Sequence, residues 1–240
     1  MTGICNGEIL KYSLEEAAEK VRLVNESVAN TIGINPAARQ TTIKPSGTTS
    51  CVVGTSSGIH AWHSKYYIRR MQCTKDEALY IYLKRNHPEL VHDYQAIPNT
   101  AVIEIPQTAP KGAIVRDDEG ALDLLERVSK FNREWVKSGH LVGSNSNNVS
   151  ATVSIKEDEW EEVREWMWKN KNLFNGLSVL PYDGGSYVQA PFENIDQATF
   201  HKLYAQLKTI DLRNVVEDQD NTDLANEVAC AGGSCEIVNV

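Results

Sequence analysis

Thr41-Thr42-Ile43-Lys44-Pro45-Ser46-Gly47-Thr48-Thr49-Ser50 passes from a β-type run into a turn dense in hydroxyls. A turn of this composition can present successive backbone N–H groups, with Ser and Thr hydroxyls, to an anion. Gly47 lets the backbone approach a ligand closely, and Pro45 stiffens the entry. The G-x-x-x-x-G-K-[ST] order of a Walker A loop is missing. Turns rich in Ser, Thr and Gly are also commonly plain connections, and that reading stays open at this point.

Directly downstream runs Gly54-Thr55-Ser56-Ser57-Gly58-Ile59-His60-Ala61-Trp62-His63-Ser64, too rich in Gly, hydroxyls and imidazole for a routine connection. It reads as a loop lining a site. His60 and His63 have no nearby carboxylates, so a catalytic or metal role for them is not expected.

Outward from these loops, helix and strand patterns alternate. Ser13-Leu14-Glu15-Glu16 is a capping box, followed by Leu14, Ala17, Ala18, Val21, Val24 and Val28 at helical spacing. Thr74-Lys75-Asp76-Glu77 is a second box, whose helix should end by His87-Pro88. Further helices are expected over 121–138, over 154–172 with Ser154 as its cap, and over 197–208. Strands are expected over 40–43, 66–72, 101–105, 149–155 and 177–180. This alternation implies an α/β sheet or barrel. The body is expected as one domain over 1–212, with a flexible tail over 213–240. Residues 1–12 contain no convincing first strand, as though the chain began inside a larger domain.

The bulk numbers exclude several classes. The 240 residues are 41% hydrophobic and 23% charged, as in ordinary soluble domains. A formal net charge of -8 argues against a general nucleic-acid surface. No run is long enough for a membrane span, and no signal-peptide pattern opens the chain. Five cysteines, an odd number, fit a reducing cytoplasm better than a secreted disulfide scaffold. The six histidines form no H-E-x-x-H, and there is no Cys-x-x-Cys, so no metal site is expected.

The end of the chain reads Cys230-Ala231-Gly232-Gly233-Ser234-Cys235, after the acidic run Glu217-Asp218-Gln219-Asp220-Asn221-Thr222-Asp223. Two thiols around a Gly-Gly hinge on a solvated arm suit thiol–disulfide exchange. A metal half-site or an accidental pair is the alternative.

Taken in order, these stretches resemble the C-terminal part of adenosylcobalamin-dependent (class II) ribonucleotide reductases. The matching residues are the 41–50 segment, Ser56-Ser57-Gly58-Ile59-His60 and Tyr66-Tyr67-Ile68-Arg69-Arg70. Farther on come Asn148-Val149-Ser150-Ala151-Thr152-Val153, then Leu180-Pro181-Tyr182-Asp183-Gly184-Gly185-Ser186-Tyr187-Val188-Gln189-Ala190-Pro191, and finally the tail pair. The resemblance implies the C-terminal half of a ten-stranded α/β barrel. It implies substrate-phosphate binding by Ser46, Gly47, Thr48, Thr49 and Ser50. It also implies that Cys230 and Cys235 re-reduce the active-site disulfide and are themselves reduced by a thioredoxin-like protein. The tail pair occurs in class I enzymes as well; the class II assignment rests on the wording of the other motifs.

The chain departs from the family in lacking the Asn-x-Cys-x-Glu finger loop of the radical cysteine. Cys5-Asn6-Gly7-Glu8 has the wrong order and spacing for it. Cys51 and Cys73, among β-type residues, are expected to be buried and inert. The substrate-reducing pair and most of the adenosylcobalamin pocket would lie in an N-terminal reductase polypeptide, the expected partner. Alone, the chain should not reduce ribonucleotides, and apolar faces should be left uncovered. The competing reading is a non-catalytic nucleotide-binding module derived from the same barrel.

Overall fold

The computed structural model of the chain describes residues 1–182 and 188–217. In chain order the helices are α1 (Leu14–Ile32), α2 (Gly47–Val52), α3 (Ala78–Asn86), α4 (Ala121–Phe131), α5 (Trp160–Lys169) and α6 (Gln197–Tyr204). The strands are β1 (Tyr66–Thr74), β2 (Val91–Asp93), β3 (Thr100–Thr108), β4 (Thr152–Ile155), β5 (Ser178–Pro181) and β6 (Phe192–Asn194). They fall into two compact units. One comprises Met1–Trp62 and Pro110–Tyr182; the other comprises His63–Ala109 with the described residues of 183–240.

The first unit is built on parallel pairing. Ile43 bridges Val149 in parallel, and β4 pairs parallel with β5 from Thr152↔Ser178 to Ile155↔Pro181. Alternation along β4 buries Val153 and Ile155 and leaves Ser154 exposed. These side chains meet Leu125, Val128 and Phe131 of α4, with Leu14 and Ala18 of α1, Ile43 and Ile59, in one core. The period-3.6 spacing of the α4 residues is what aims them at one sheet face.

Local chemistry sets the helix ends. Ser13 Oγ accepts the Glu16 N–H at 3.2 Å, so the first predicted box caps α1. α4 opens at Ala121, where Asp123 Oδ2 reaches back to the Gly120 N–H at 2.8 Å. The helix expected over 121–138 changes character at Asn132, where a π-helical stretch, Asn132–Lys137, takes over. Ser154 is not a cap: it lies within β4 opposite Leu180, and its helix begins only at Trp160. Glu159 holds that corner, accepting from Lys156 N–H at 2.8 Å and Ala121 N–H at 3.0 Å. The strand expected over 40–43 reduces to single bridges at Arg39 and Ile43.

The second unit is an antiparallel sheet in the order β2-β3-β1-β6. β1 and β3 pair along their whole length, from Tyr66↔Thr108 to Thr74↔Thr100. Cys73, Ala101, Ile103, Val91, Leu90 and Leu83 form its core. The second predicted box forms by half. Glu77 Oε1 accepts the Thr74 N–H at 2.8 Å, yet α3 starts at Ala78, because Thr74 is still paired in β1. Among the described residues neither sheet closes on itself.

Candidate functional site

The candidate anion turn sits where the chain leaves the parallel pairing. Ile43 N–H donates to Asn148 O at 3.2 Å, and Ile43 O accepts from Ser150 N–H at 3.0 Å. The chain then turns at Lys44-Pro45 into α2. The next rung of a parallel ladder would offer a carbonyl to the Thr152 N–H. His60 Nε2 takes that hydrogen bond instead, at 3.0 Å. The chain is thereby free to form the polar loops.

Ser46 is the N-cap residue of α2, but its side chain makes no cap bond. Its hydroxyl lies 2.6 Å from Thr2 Oγ1, and its N–H donates to Ser57 Oγ at 3.0 Å. Gly47, Thr48 and Thr49 are exposed. Their first-turn N–H groups have no acceptor within a helix, which leaves them for water or an anion. Ser50 is buried, and its hydroxyl donates to Ser46 O and Gly47 O. It shapes the turn and has no hydroxyl proton left for a ligand. Lys44 is exposed at the entry and adds positive charge.

The second polar run supports this turn from behind. Thr2 Oγ1 donates to Ser56 O at 3.0 Å and accepts the Gly58 N–H at 2.9 Å. Gly3 N–H donates to Ser56 O, and Ile4 N–H to Gly58 O. Asn6 Oδ1 accepts from both Ser56 N–H and Trp62 Nε1–H. Residues 2–6 thus lace the 54–62 segment in place. Sequence reasoning missed this, since nothing in Thr2 or Asn6 signals a partner some fifty positions away. Gly58 has φ +56°, and a Cβ there would lie 2.7 Å from Lys44 O, so only glycine lets the two loops close.

His60 is a structural group. Its Nδ1 lies 3.2 Å from Ser57 O, which fits the tautomer protonated on Nδ1. Burial, aided by the charges of Arg127 and Arg116, holds its pKa below the usual imidazole value. Beneath it, Ile59 O accepts from both Cys5 Sγ–H and Arg127 Nε–H at 3.2 Å. Arg127 also pairs with Glu119. Burial pushes the Cys5 thiol up to about 12, so Cys5 stays protonated. Such a thiol is inert, in keeping with the wrong spacing around it.

Cys51 departs from expectation. It is exposed, because residues 47–52 form a helix and not a strand. Cys73 is buried in β1 as expected.

In the second unit, His63 stacks on Phe192 at 5.0 Å and meets Tyr67 edge-on. The Arg69-Arg70 pair clamps the segment entering β6. Arg69 Nη1 and Arg70 N–H both donate to Pro191 O, and Arg70 Nη1 donates to Ala190 O. Arg70 also pairs with Glu104 at 2.7 Å and Glu193 at 2.5 Å. Gln189, at φ +56°, donates to Asp93 O and accepts from Gln95 N–H. Two of the sequence motifs therefore meet here as backbone clamps.

Cys230 and Cys235, and residues 183–187, lie outside the described residues. Among the described residues no cluster of three or more His, Cys, Asp or Glu could hold a metal ion. No helix among them is long and apolar enough to cross a membrane.

No protein-family model matches the chain. It is similar to proteins named adenosylcobalamin-dependent ribonucleoside-triphosphate reductase. That of Levilactobacillus brevis is 27% identical over 219 residues, 89% of this chain and 28% of the relative. That of Lacticaseibacillus paracasei is 25% identical over 233 residues, 95% of this chain and 30% of the relative. That of Lactobacillus leichmannii is 27% identical over 228 residues, 93% of this chain and 30% of the relative. A crystal structure of a B-12 dependent (class II) ribonucleotide reductase matches in fold with a TM-score of 0.67 at 23% identity. That match covers 84% of this chain and 28% of the other. The resemblance carried by the ordered motifs is borne out along most of the chain. The chain spans less than a third of the length of the curated relatives it matches.

Proposed function

We propose that this chain is the C-terminal part of an adenosylcobalamin-dependent ribonucleotide reductase, contributing the substrate-phosphate turn and the tail dithiol. The observation that carries the reading is the Ser46–Thr49 turn. Gly47, Thr48 and Thr49 are exposed in the first turn of α2, and Ser46 N–H ties the turn to the second polar loop behind it. In this reading the 1–212 body contributes one half of a ten-stranded α/β barrel and 213–240 is its tail. The enzyme acts in the cytoplasm, where it supplies deoxyribonucleotides for DNA replication.

The first turn of α2 would bind the diphosphate or triphosphate of the ribonucleotide through Gly47, Thr48 and Thr49 N–H groups. The Thr48 hydroxyl and Lys44 would add to it, whereas the Ser46 hydroxyl is committed as a donor to Thr2 Oγ1. Reduction replaces the 2′ hydroxyl by hydrogen, releases water and leaves a disulfide on the substrate-reducing cysteines of the N-terminal polypeptide. A thiolate of the Cys230/Cys235 pair then attacks that disulfide and forms a mixed disulfide. The second tail thiol resolves it, restoring the site and leaving Cys230–Cys235 oxidised. A thioredoxin-like dithiol reduces the tail again.

Adenosylcobalamin, when bound to the complete enzyme, supplies the radical that starts hydrogen abstraction. His60, committed at both nitrogens, offers the cofactor no ligand. Most of the corrinoid pocket would be built by residues outside this chain.

The test is reconstitution. The chain mixed with the N-terminal reductase polypeptide and adenosylcobalamin should reduce ribonucleotides with thioredoxin. Cys235→Ser should abolish that turnover but leave turnover with dithiothreitol. Equal activity of wild type and variant with thioredoxin would remove the shuttle role.

A further inference from the structure

We infer that the uncovered C-terminal part of the apolar face of α1 is a docking surface for an apolar-faced helix in the part of the reductase that this chain does not span. The inference rests on the reductase reading. α1 buries Leu14, Ala18 and Ala29 in the core of its unit. That apolar face runs on toward the C-terminal end of the helix, since Val21 and Val28 follow Leu14 at seven-residue steps, but there it is no longer covered. Val21, Val24 and Val28 are 37%, 59% and 51% exposed, with Leu23 and Ile32 also exposed nearby. Spacings of three and four residues put the three valines on one line along the helix. With Lys20 and Asn25 they line a shallow groove of about 470 Å³.

A solvent-facing stripe of valine has a physical cost. β-Branched residues are poorer helix formers than Glu, Lys or Ala, and exposed apolar surface in a row lowers solubility. Scattered apolar surface residues need no explanation, but an aligned stripe fits a covered position. The alternation of four- and three-residue steps is that of a seam packing knobs against another helix.

The occupant follows from what lies outside the chain. The chain aligns over 89% of itself but over only 28% of the Levilactobacillus brevis relative. The structural match likewise covers 84% of the chain and 28% of the solved reductase. Most of the protein in which this fold sits is therefore elsewhere and available to cover the stripe. A stripe from Val21 to Val28 is about 10 Å long. That is far short of the surface that a stable dimer needs. It suits one contact among several between two parts of one enzyme better than self-association.

The experiment uses the 240-residue chain and the complementary reductase polypeptide of the same organism. Binding is followed by sedimentation, and nucleotide reduction is followed in parallel. Val24→Glu with Val28→Glu should weaken binding by at least about 100-fold and leave the helical circular dichroism of the free chain unchanged. Val24→Leu with Val28→Leu should stay within about threefold of wild type. If the Glu pair unfolds the chain, Val24→Ala with Val28→Ala decides the matter through an expected loss of about 10-fold. Undiminished binding by the charged or Ala pair, in a mixture that still reduces nucleotides, overturns the docking surface and leaves the reductase reading intact. A wild-type chain that neither binds nor reduces overturns both. A wild-type chain that is dimeric alone, and made monomeric by the Glu pair, assigns the stripe to a second copy and overturns the inference.

Discussion

His60 stands where a strand's carbonyl would otherwise be, accepting the Thr152 N–H in the interior of its unit. Its lowered pKa means the folded protein favours the neutral ring. The unfolded chain takes up the proton first as pH falls below about 6.5. The stability contributed by the neutral ring is thus complete above that value and is lost as pH falls through the folded pKa. His60→Gln keeps an acceptor for Thr152 and removes the titration. Denaturant unfolding between about pH 7 and 5.5 should show a clear fall for wild type and a flatter line for the variant; equal slopes would contradict this role. The cysteines titrate with the opposite sign. Cys5, pushed to about 12, and Cys73, pushed to about 11, keep their protons, so their contribution is lost only above pH 9. Iodoacetamide at pH 8 should therefore label Cys51 among the described cysteines and spare Cys5 and Cys73, as read by peptide mass spectrometry. Gly58→Ala meets Lys44 O and a positive φ together. It should cost about 2 kcal/mol or more in unfolding free energy. The exposure of Cys51 was not legible in its sequence neighbours: the β-type residue Val52 ends a short helix because the preceding turn sets the backbone there.

Elements were legible where local chemistry decides them. The Ser13 box became the α1 cap, and Ser13→Ala should lower stability by about 1 kcal/mol, measured by thermal or urea unfolding. The Ser154 box had the same wording and failed. Pairing of β4 with β5 claimed Ser154 first, and strand pairing depends on partners distant in sequence. The Arg69-Arg70 motif was read as part of a family signature, whereas its local work is to hold β6. Arg70 has its guanidinium nearly buried between Glu104 and Glu193. Arg70→Met should destabilise the second unit by about 2 kcal/mol, because the part-buried Glu104 carboxylate loses its counter-charge. Hydrogen exchange should show that loss first along β1, β3 and β6.

For the molecule as a whole, the proposed phosphate turn is half of a site. Titration calorimetry of the chain alone with a ribonucleoside triphosphate should show affinity weaker than about 1 mM, since a few N–H groups and one lysine face open solvent. Addition of the complementary polypeptide should tighten it at least tenfold. Tight binding by the chain alone would favour the nucleotide-binding module instead.

The sequence by itself determined the order of motifs, the hydroxyl-rich turn, the helix periodicities and thereby the resemblance to the reductases. Each of these resides in short spans of neighbouring residues. Tertiary structure alone decided that Thr2 and Asn6 lace the second loop and that His60 completes a parallel ladder. It alone decided that Ser50 turns its hydroxyl inward and that the C-terminal part of the α1 apolar face stays uncovered. Those outcomes depend on which distant backbone groups compete for the same hydrogen bond and on which face of a helix meets the core first. No local pattern encodes that choice.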